Sequence, residues 1–284
     1  MNEVADVSVK RFSVSALCVR AGMSRQNYYA ARRLRHRREI DEGLMLELVR
    51  RERRQQPRLG GRKLLRLLRG ELREAGVVVG RDRCSEVLAE PDLLAVPKPG
   101  APHTTSSRHS LPVFRNLLAG RDLTGPNEAW VSDVTYIRTD EGFVYAALIT
   151  DAYSRKIVGA NIGDSLEAEG CLVALQQALA ELPAGKQPLH HSDRGSQDCC
   201  HAYVEMLLEH GLEVSMTELR HCYENAKAER VNGILKQEYG LDQTFRTKAQ
   251  AATAFKQAVH LYNHCRPHQK LAYRFPAQVH EDAA

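Results

Sequence analysis

The chain has 284 residues and a mass of 31.9 kDa, with 43% hydrophobic and 26% charged residues. That composition excludes a disordered chain, and no apolar run approaches the roughly 20 residues a membrane span needs. The net charge of +5 hides a split: residues 1–70 carry 18 basic and 7 acidic side chains, whereas residues 121–284 carry 16 and 22. A basic head on a mildly acidic body suggests a polyanion-binding arm, most often for nucleic acid, joined to something with a different job.

The opening Met1-Asn2-Glu3-Val4-Ala5-Asp6 has neither a basic nor an apolar leader segment, so no signal peptide is expected. Seven cysteines without a C-x-x-C pair predict a reducing cytosol rather than a disulfide framework. Cys199-Cys200-His201 with His264 and His268 could suggest zinc. Adjacent cysteines do not easily share one tetrahedral ion, so structural zinc is not expected.

In chain order, Ser13–Val19, a turn at Ala21-Gly22-Met23 and a helix capped by Ser24 predict a helix-turn-helix over residues 13–35. An ordinary helical hairpin fits the pattern too. Arg32, Arg33, Arg35, Arg37 and Arg38 follow at once and favour DNA. Leu44–Arg54 reads as a basic helix. Leucines at 64, 65, 67, 68 and 72 predict an amphipathic helix over Arg62–Ala75, ended by Gly76, and Arg83–Leu88 predicts a shorter one. Its basic residues read either as a nucleic-acid surface or as a solvated face. Six prolines between 91 and 127 mark a linker.

From Trp130 the period changes. Strands are predicted over Trp130–Thr139, Phe143–Thr150, Lys156–Ile162, Gln187–His191 and Glu213–Ser215. Helices are predicted over Ser165–Leu182, up to about His210, over Glu224–Tyr239 and over Lys248–Tyr262. This order gives a mixed α/β sheet with helices packed on it.

Three acids stand where phosphoryl chemistry usually holds its metals. Asp133 lies within the first strand, Asp193 follows the fourth, and Glu229 sits in the late helix. Taken singly, each is most simply a solvated carboxylate. Glu224 is a rival third acid, but five residues turn it about 140° from Glu229 around a helix. Lys236 and Asn225 share the face of Glu229, and Lys236 would reach phosphate there. His191 alternates with Asp193, which allows a site residue or a packed core histidine. Asp151 fits better as the turn between the second and third strands.

The surroundings of these acids carry a resemblance. Trp130-Val131-Ser132-Asp133-Val134-Thr135-Tyr136-Ile137, His191-Ser192-Asp193-Arg194-Gly195-Ser196, and 35 residues between Asp193 and Glu229 resemble the D,D-35-E core of retroviral-type integrases. They resemble more closely the OrfB transposases of the insertion-sequence-three family. Tyr223-Glu224-Asn225-Ala226, Tyr262-Asn263 and Arg266-Pro267-His268 add to it. The clear match covers about 128–280, and Leu59-Gly60-Gly61-Arg62-Lys63 stands where that family has a Tyr-Gly-Tyr-Arg-Arg-like stretch. Departures fall in loops: Thr217–His221 lacks a usual glycine, Glu224 replaces a frequent Asp, and Asp198-Cys199-Cys200 is atypical.

The resemblance implies a ribonuclease-H-like fold behind small all-α helix-turn-helix-like units. The expected organisation is a basic unit at 10–56, a second helical unit at 57–95, a Pro-rich linker at 96–127, the catalytic core at 128–242, and a C-terminal helix and tail at 243–284. It implies a DNA strand transferase with endonuclease activity that cuts at the ends of a mobile element and joins the 3′-hydroxyl to target DNA. Two Mg²⁺ ions, replaceable by Mn²⁺, would sit on Asp133, Asp193 and Glu229. Expected DNA contacts are Arg25, Arg62, Lys63, Asn225, Lys236 and Arg266, with packing under the late helix as the alternative for Arg266. It also implies a homo-oligomer on DNA, often a fusion to a small upstream DNA-binding protein, and a bacterial cytoplasmic, nucleoid-associated location without a membrane partner. The rivals are a hydrolytic nuclease of the same fold and a non-catalytic DNA-binding regulator.

Overall fold

The computed structural model describes residues 13–89, 93, 113–193, 197, 200–218 and 225–283. Most of the expected linker, the rival acid Glu224, Cys199 of the zinc alternative, and much of the Thr217–His221 loop lie outside the described residues.

The head begins with α1 (Val14–Arg20) and α2 (Arg25–Arg53). Ser24 caps α2 as expected, its Oγ accepting from the Asn27 amide at 3.1 Å. The expected break between residues 35 and 44 is absent, and α2 is continuous for 29 residues. Nothing there stops a helix: Gly43 is interior, and Arg37 pairs with Asp41 one turn on at 3.0 Å. Met45 and Val49 of α2 share one core with Leu64, Leu68 and Leu72 of α3 (Gly61–Glu74) and Cys84, Val87 and Leu88 of α4 (Arg81–Ala89). Residues on either side of the expected 56/57 boundary therefore pack together. Gly76 takes the left-handed φ of 70° that ends α3, as its position predicted.

The body is a five-stranded sheet of β1 (Ala129–Thr139), β2 (Gly142–Asp151), β3 (Ile157–Gly163), β4 (Leu189–Ser192) and β5 (Val214–Met216), in the order β3-β2-β1-β4-β5. β1, β2 and β3 pair antiparallel, then β4 and β5 add parallel. Each predicted strand is present, with ends shifted by one or two residues. The helices are α5 (Ala168–Ala180), α6 (His201–Glu209), α7 (Ala226–Tyr239), α8 (Lys248–His264) and α9 (Pro276–Asp282). Ser165 does not cap α5 and Glu167 stands at that position. This is the mixed α/β sheet that the strand pattern implied, in the ribonuclease-H-like arrangement expected from the resemblance.

Two apolar layers hold the sheet. Trp130, Ile149 and Val158 pack with Leu175 of α5 and Tyr203 and Leu207 of α6. Ile137, Val144 and Leu148 pack with Val231, Ile234 and Leu235 of α7 and Phe255 and Tyr262 of α8. Gly159 permits the close approach of β3 to α5: a Cβ there would lie 2.1 Å from the Ala174 carbonyl oxygen. No helix among the described residues is long and apolar enough to cross a membrane.

Candidate active site

β1 and β4 are parallel neighbours, with Val131 opposite His191. Asp133 lies two residues further along β1, and Asp193, just past the end of β4, is near enough to act on it electrostatically. α7 crosses the β1 face, and its first turn carries Glu229, exposed to solvent. One turn later Asn232, buried, donates from Nδ2 to Asp133 Oδ2 at 2.7 Å. Residues three apart share a helix face, so Glu229 and Asn232 both address β1.

The electrostatics report the same convergence. Burial pushes the Asp133 carboxyl up to about 7, and the neighbouring Asp193 and then Glu229 push in the same direction. The Asn232 hydrogen bond and the Val134 backbone N–H oppose the rise. Neither Asp133 nor Glu229 has an ion-pair partner among the described residues. The donors are carboxylate oxygens, the set that hard divalent ions prefer. In the form observed they do not close into a cage: among the described residues no three His, Cys, Asp or Glu side chains stand together at metal-holding distance.

Lys236, two turns beyond Glu229, lies with Nζ 4.4 Å from the centre of the Tyr136 ring. Burial lowers its pKa, while Asp133 and Asp242 act to raise it. Asn225 is elsewhere than expected. It is buried, and its Nδ2 donates to the Ser132 carbonyl at 2.9 Å, so it ties the start of α7 to β1 beside Asp133 instead of facing DNA. Sequence reasoning missed Asn232. Its one visible signal is its place one turn after Glu229.

Two further expected DNA contacts are also committed inside the protein. Arg266, 2% exposed, forms a bidentate pair with Glu238 at 2.8 and 2.9 Å and stacks on Tyr262. Lys63 reaches the same carboxylate at 2.6 Å from α3. Burial works against the Glu238 anion, but Arg266 and Lys63 outweigh it and hold the group below its ordinary value. Around this clamp Arg58 binds Asp242 at 2.9 Å, and the Gln56 amide donates to the Cys265 carbonyl at 3.3 Å. The head is thus docked on the last turn of α7. Arg25 and Arg62 remain exposed.

His191 is fully buried with Nδ1 2.8 Å from Ser215 Oγ, the packed-core alternative of the two. Asp151 is buried as the last residue of β2, where it accepts from the Asn127 and Ser154 amides at 2.8 and 2.6 Å. Ser154 Oγ in turn contacts His280 Nδ1 of α9 at 2.9 Å.

An integrase core domain model matches residues 124–222, and a second model of the same description matches 210–276. The transposase for insertion sequence element IS629 of Shigella sonnei is 33% identical over 291 residues, covering 98% of this chain and 95% of that one. The chain belongs to the insertion-sequence-three transposase family, with an integrase-type core. Transposase InsF for IS3A of Escherichia coli is 39% identical over 132 residues, 46% of each chain. Among solved structures, the HTLV-2 integrase catalytic core domain in complex with magnesium aligns with a TM-score of 0.44 and 19% identity, over 58% of this transposase and 99% of that chain.

Proposed function

We propose that this transposase cuts DNA at the ends of a mobile element and joins the freed 3′-hydroxyl to target DNA, with Asp133, Asp193 and Glu229 as its catalytic acids. The observation that carries this is the arrangement of three carboxylates from β1, the end of β4 and α7. Asp193 and Glu229 crowd Asp133 electrostatically, and neither Asp133 nor Glu229 has a counterion among the described residues. Such like-charge crowding costs stability unless cations enter.

Asp133, Asp193 and Glu229 would hold divalent ions, Mg²⁺ or Mn²⁺. Bound there, these would activate the attacking oxygen and offset charge on the leaving one. Asn232 keeps the Asp133 carboxylate oriented. Lys236, at the edge of the same face, is placed to meet a phosphate. The chemistry requires no covalent enzyme intermediate, so it needs no serine or tyrosine nucleophile. The exposed basic head, including Arg25 and Arg62, holds duplex DNA. Joining two DNA ends calls for more than one copy, so the working form is a homo-oligomer on DNA. A small upstream fusion partner would supply end recognition in a bacterial cytoplasm, at the nucleoid.

The test uses the full chain with Mg²⁺ and a labelled duplex ending in the element's terminal sequence. Labelled strand covalently joined to a plasmid is the expected product. Nicked DNA alone leaves the hydrolytic reading, and no product, with wild type equal to Glu229→Gln, leaves the non-catalytic one.

A further inference from the structure

The charge of the head is not spread evenly over its helices. On α3, Arg62, Arg66, Arg69 and Arg73 stand at i, i+4, i+7 and i+11. Those positions fall within about 60° of one another and extend about 16 Å along the helix. Leu64, Leu68 and Leu72 occupy the opposite, buried side. All four arginines are exposed, and none has an ion-pair partner among the described residues. Elsewhere in the head many basic side chains are spent internally: Arg37 on Asp41, Arg50 on Glu47, Arg51 on Glu71 and Arg83 on Glu42.

The stripe lines a groove of about 600 Å³, and Tyr273, from the segment between α8 and α9, closes part of it. Tyr273 arrives there on a turn in which it and Ala272 both take left-handed backbone angles, φ 64° and 51°. Non-glycine residues adopt that conformation at a cost, and two in succession require surrounding structure to hold them. Here the Tyr273 amide donates to the His268 carbonyl at 2.9 Å, and the His268 amide donates to the Arg274 carbonyl at 3.0 Å.

We propose that this groove is a binding site for the sugar-phosphate backbone of duplex DNA, built jointly by α3 and the Ala272-Tyr273 turn. The proposal rests on the transposase reading and deepens it by placing one DNA contact. The stripe is long enough to meet more than one successive phosphate of a strand. Guanidinium groups at helical spacing meet phosphate oxygens without reading bases, and the Tyr273 ring and hydroxyl can lie against sugar and phosphate. The contact is therefore independent of sequence. Because the groove has one wall from the head and one from the C-terminal segment, bound DNA bridges them.

The experiment is an anisotropy titration of a short fluorescein-labelled duplex of arbitrary sequence with the full chain, repeated over a range of salt. Arg66→Gln with Arg69→Gln lowers the log–log salt slope by about 1.8 and weakens binding about fiftyfold near 0.1 M salt. Arg66→Lys with Arg69→Lys keeps most of the slope. Tyr273→Gly removes the ring while suiting the left-handed turn, and it weakens binding without changing the slope. A double glutamine variant that melts like wild type and keeps its affinity and slope overturns the groove. If, in addition, Arg32→Gln with Arg33→Gln abolishes binding, the DNA reading stands and only this placement falls. A wild-type chain without salt-dependent duplex binding sinks both.

Discussion

The two ends of α7 hold the same residue type in opposite circumstances. Glu238, in the last turn, is embedded between Arg266 and Lys63 and receives three hydrogen bonds from them. Glu229, in the first turn, is exposed, acts on Asp133 electrostatically, and has no ion-pair partner among the described residues. A carboxylate used to hold a fold comes with its counterions built in. Carboxylates that await an external cation are instead set close to one another, at a cost that the cation relieves. The contrast sets the structural end of the helix apart from the end proposed to carry the chemistry.

The largest break in that contrast is at the chemical end. Asp133→Asn, Asp193→Asn or Glu229→Gln each lowers DNA joining by about a thousandfold, or about 4 kcal/mol of barrier, while duplex binding persists. A variant that keeps a tenth of wild-type joining in the plasmid assay removes that residue from the trio.

At the structural end the effect is on stability. Glu238→Ala leaves Arg266 buried without its partner and costs about 3 kcal/mol in urea unfolding. Glu229→Ala, exposed, changes stability by no more than about 0.5 kcal/mol. Equal losses for the two would erase the distinction. Because its partners hold Glu238 below its ordinary pKa, its contribution is present above the usual carboxylate range and disappears as pH falls through the lowered value.

Asn232 joins the two ends. Asn232→Leu keeps the packing volume but frees the Asp133 carboxylate, and joining falls about tenfold to a hundredfold with little change in melting temperature. A large loss of stability with unaltered joining per folded molecule would make it a packing residue only.

The smallest effect is a pH dependence. The Asp133 carboxyl is raised to about 7, so in chelator the chain loses stability as pH rises from the ordinary carboxylate range to about 7, and Asp133→Asn flattens that slope. Added Mg²⁺ raises the melting temperature more at pH 8 than at pH 6, since a protonated Asp133 competes with the ion. Equal shifts at both pH values would separate Asp133 from the metal.

Much of the body was legible because strand alternation and turn residues are local. Trp130–Thr139, Phe143–Thr150 and the acids within or beside strands could be placed from neighbouring residues alone. The continuity of α2 was not legible, since it depends on Met45 and Val49 finding the α3–α4 core. Nor was the fate of Lys63, Arg266 and Asn225. An arginine on a surface and an arginine under a helix have the same letter, and Lys63 meets a carboxylate 175 positions away. Asn232 was missed for a related reason: an asparagine inside a helix signals nothing until the strand beneath it is known.

The docking of Gln56, Arg58 and Lys63 onto the end of α7 also bears on how such elements diverge. A head exchanged between two related elements could lack the Lys63 that joins Arg266 at Glu238 and the Gln56 amide that meets the Cys265 carbonyl. Recombination at the proline-rich stretch, which looks the natural seam, cuts across these contacts. Exchange there would favour head and core kept as a pair, with residues 63 and 238 changing together despite the length of chain between them.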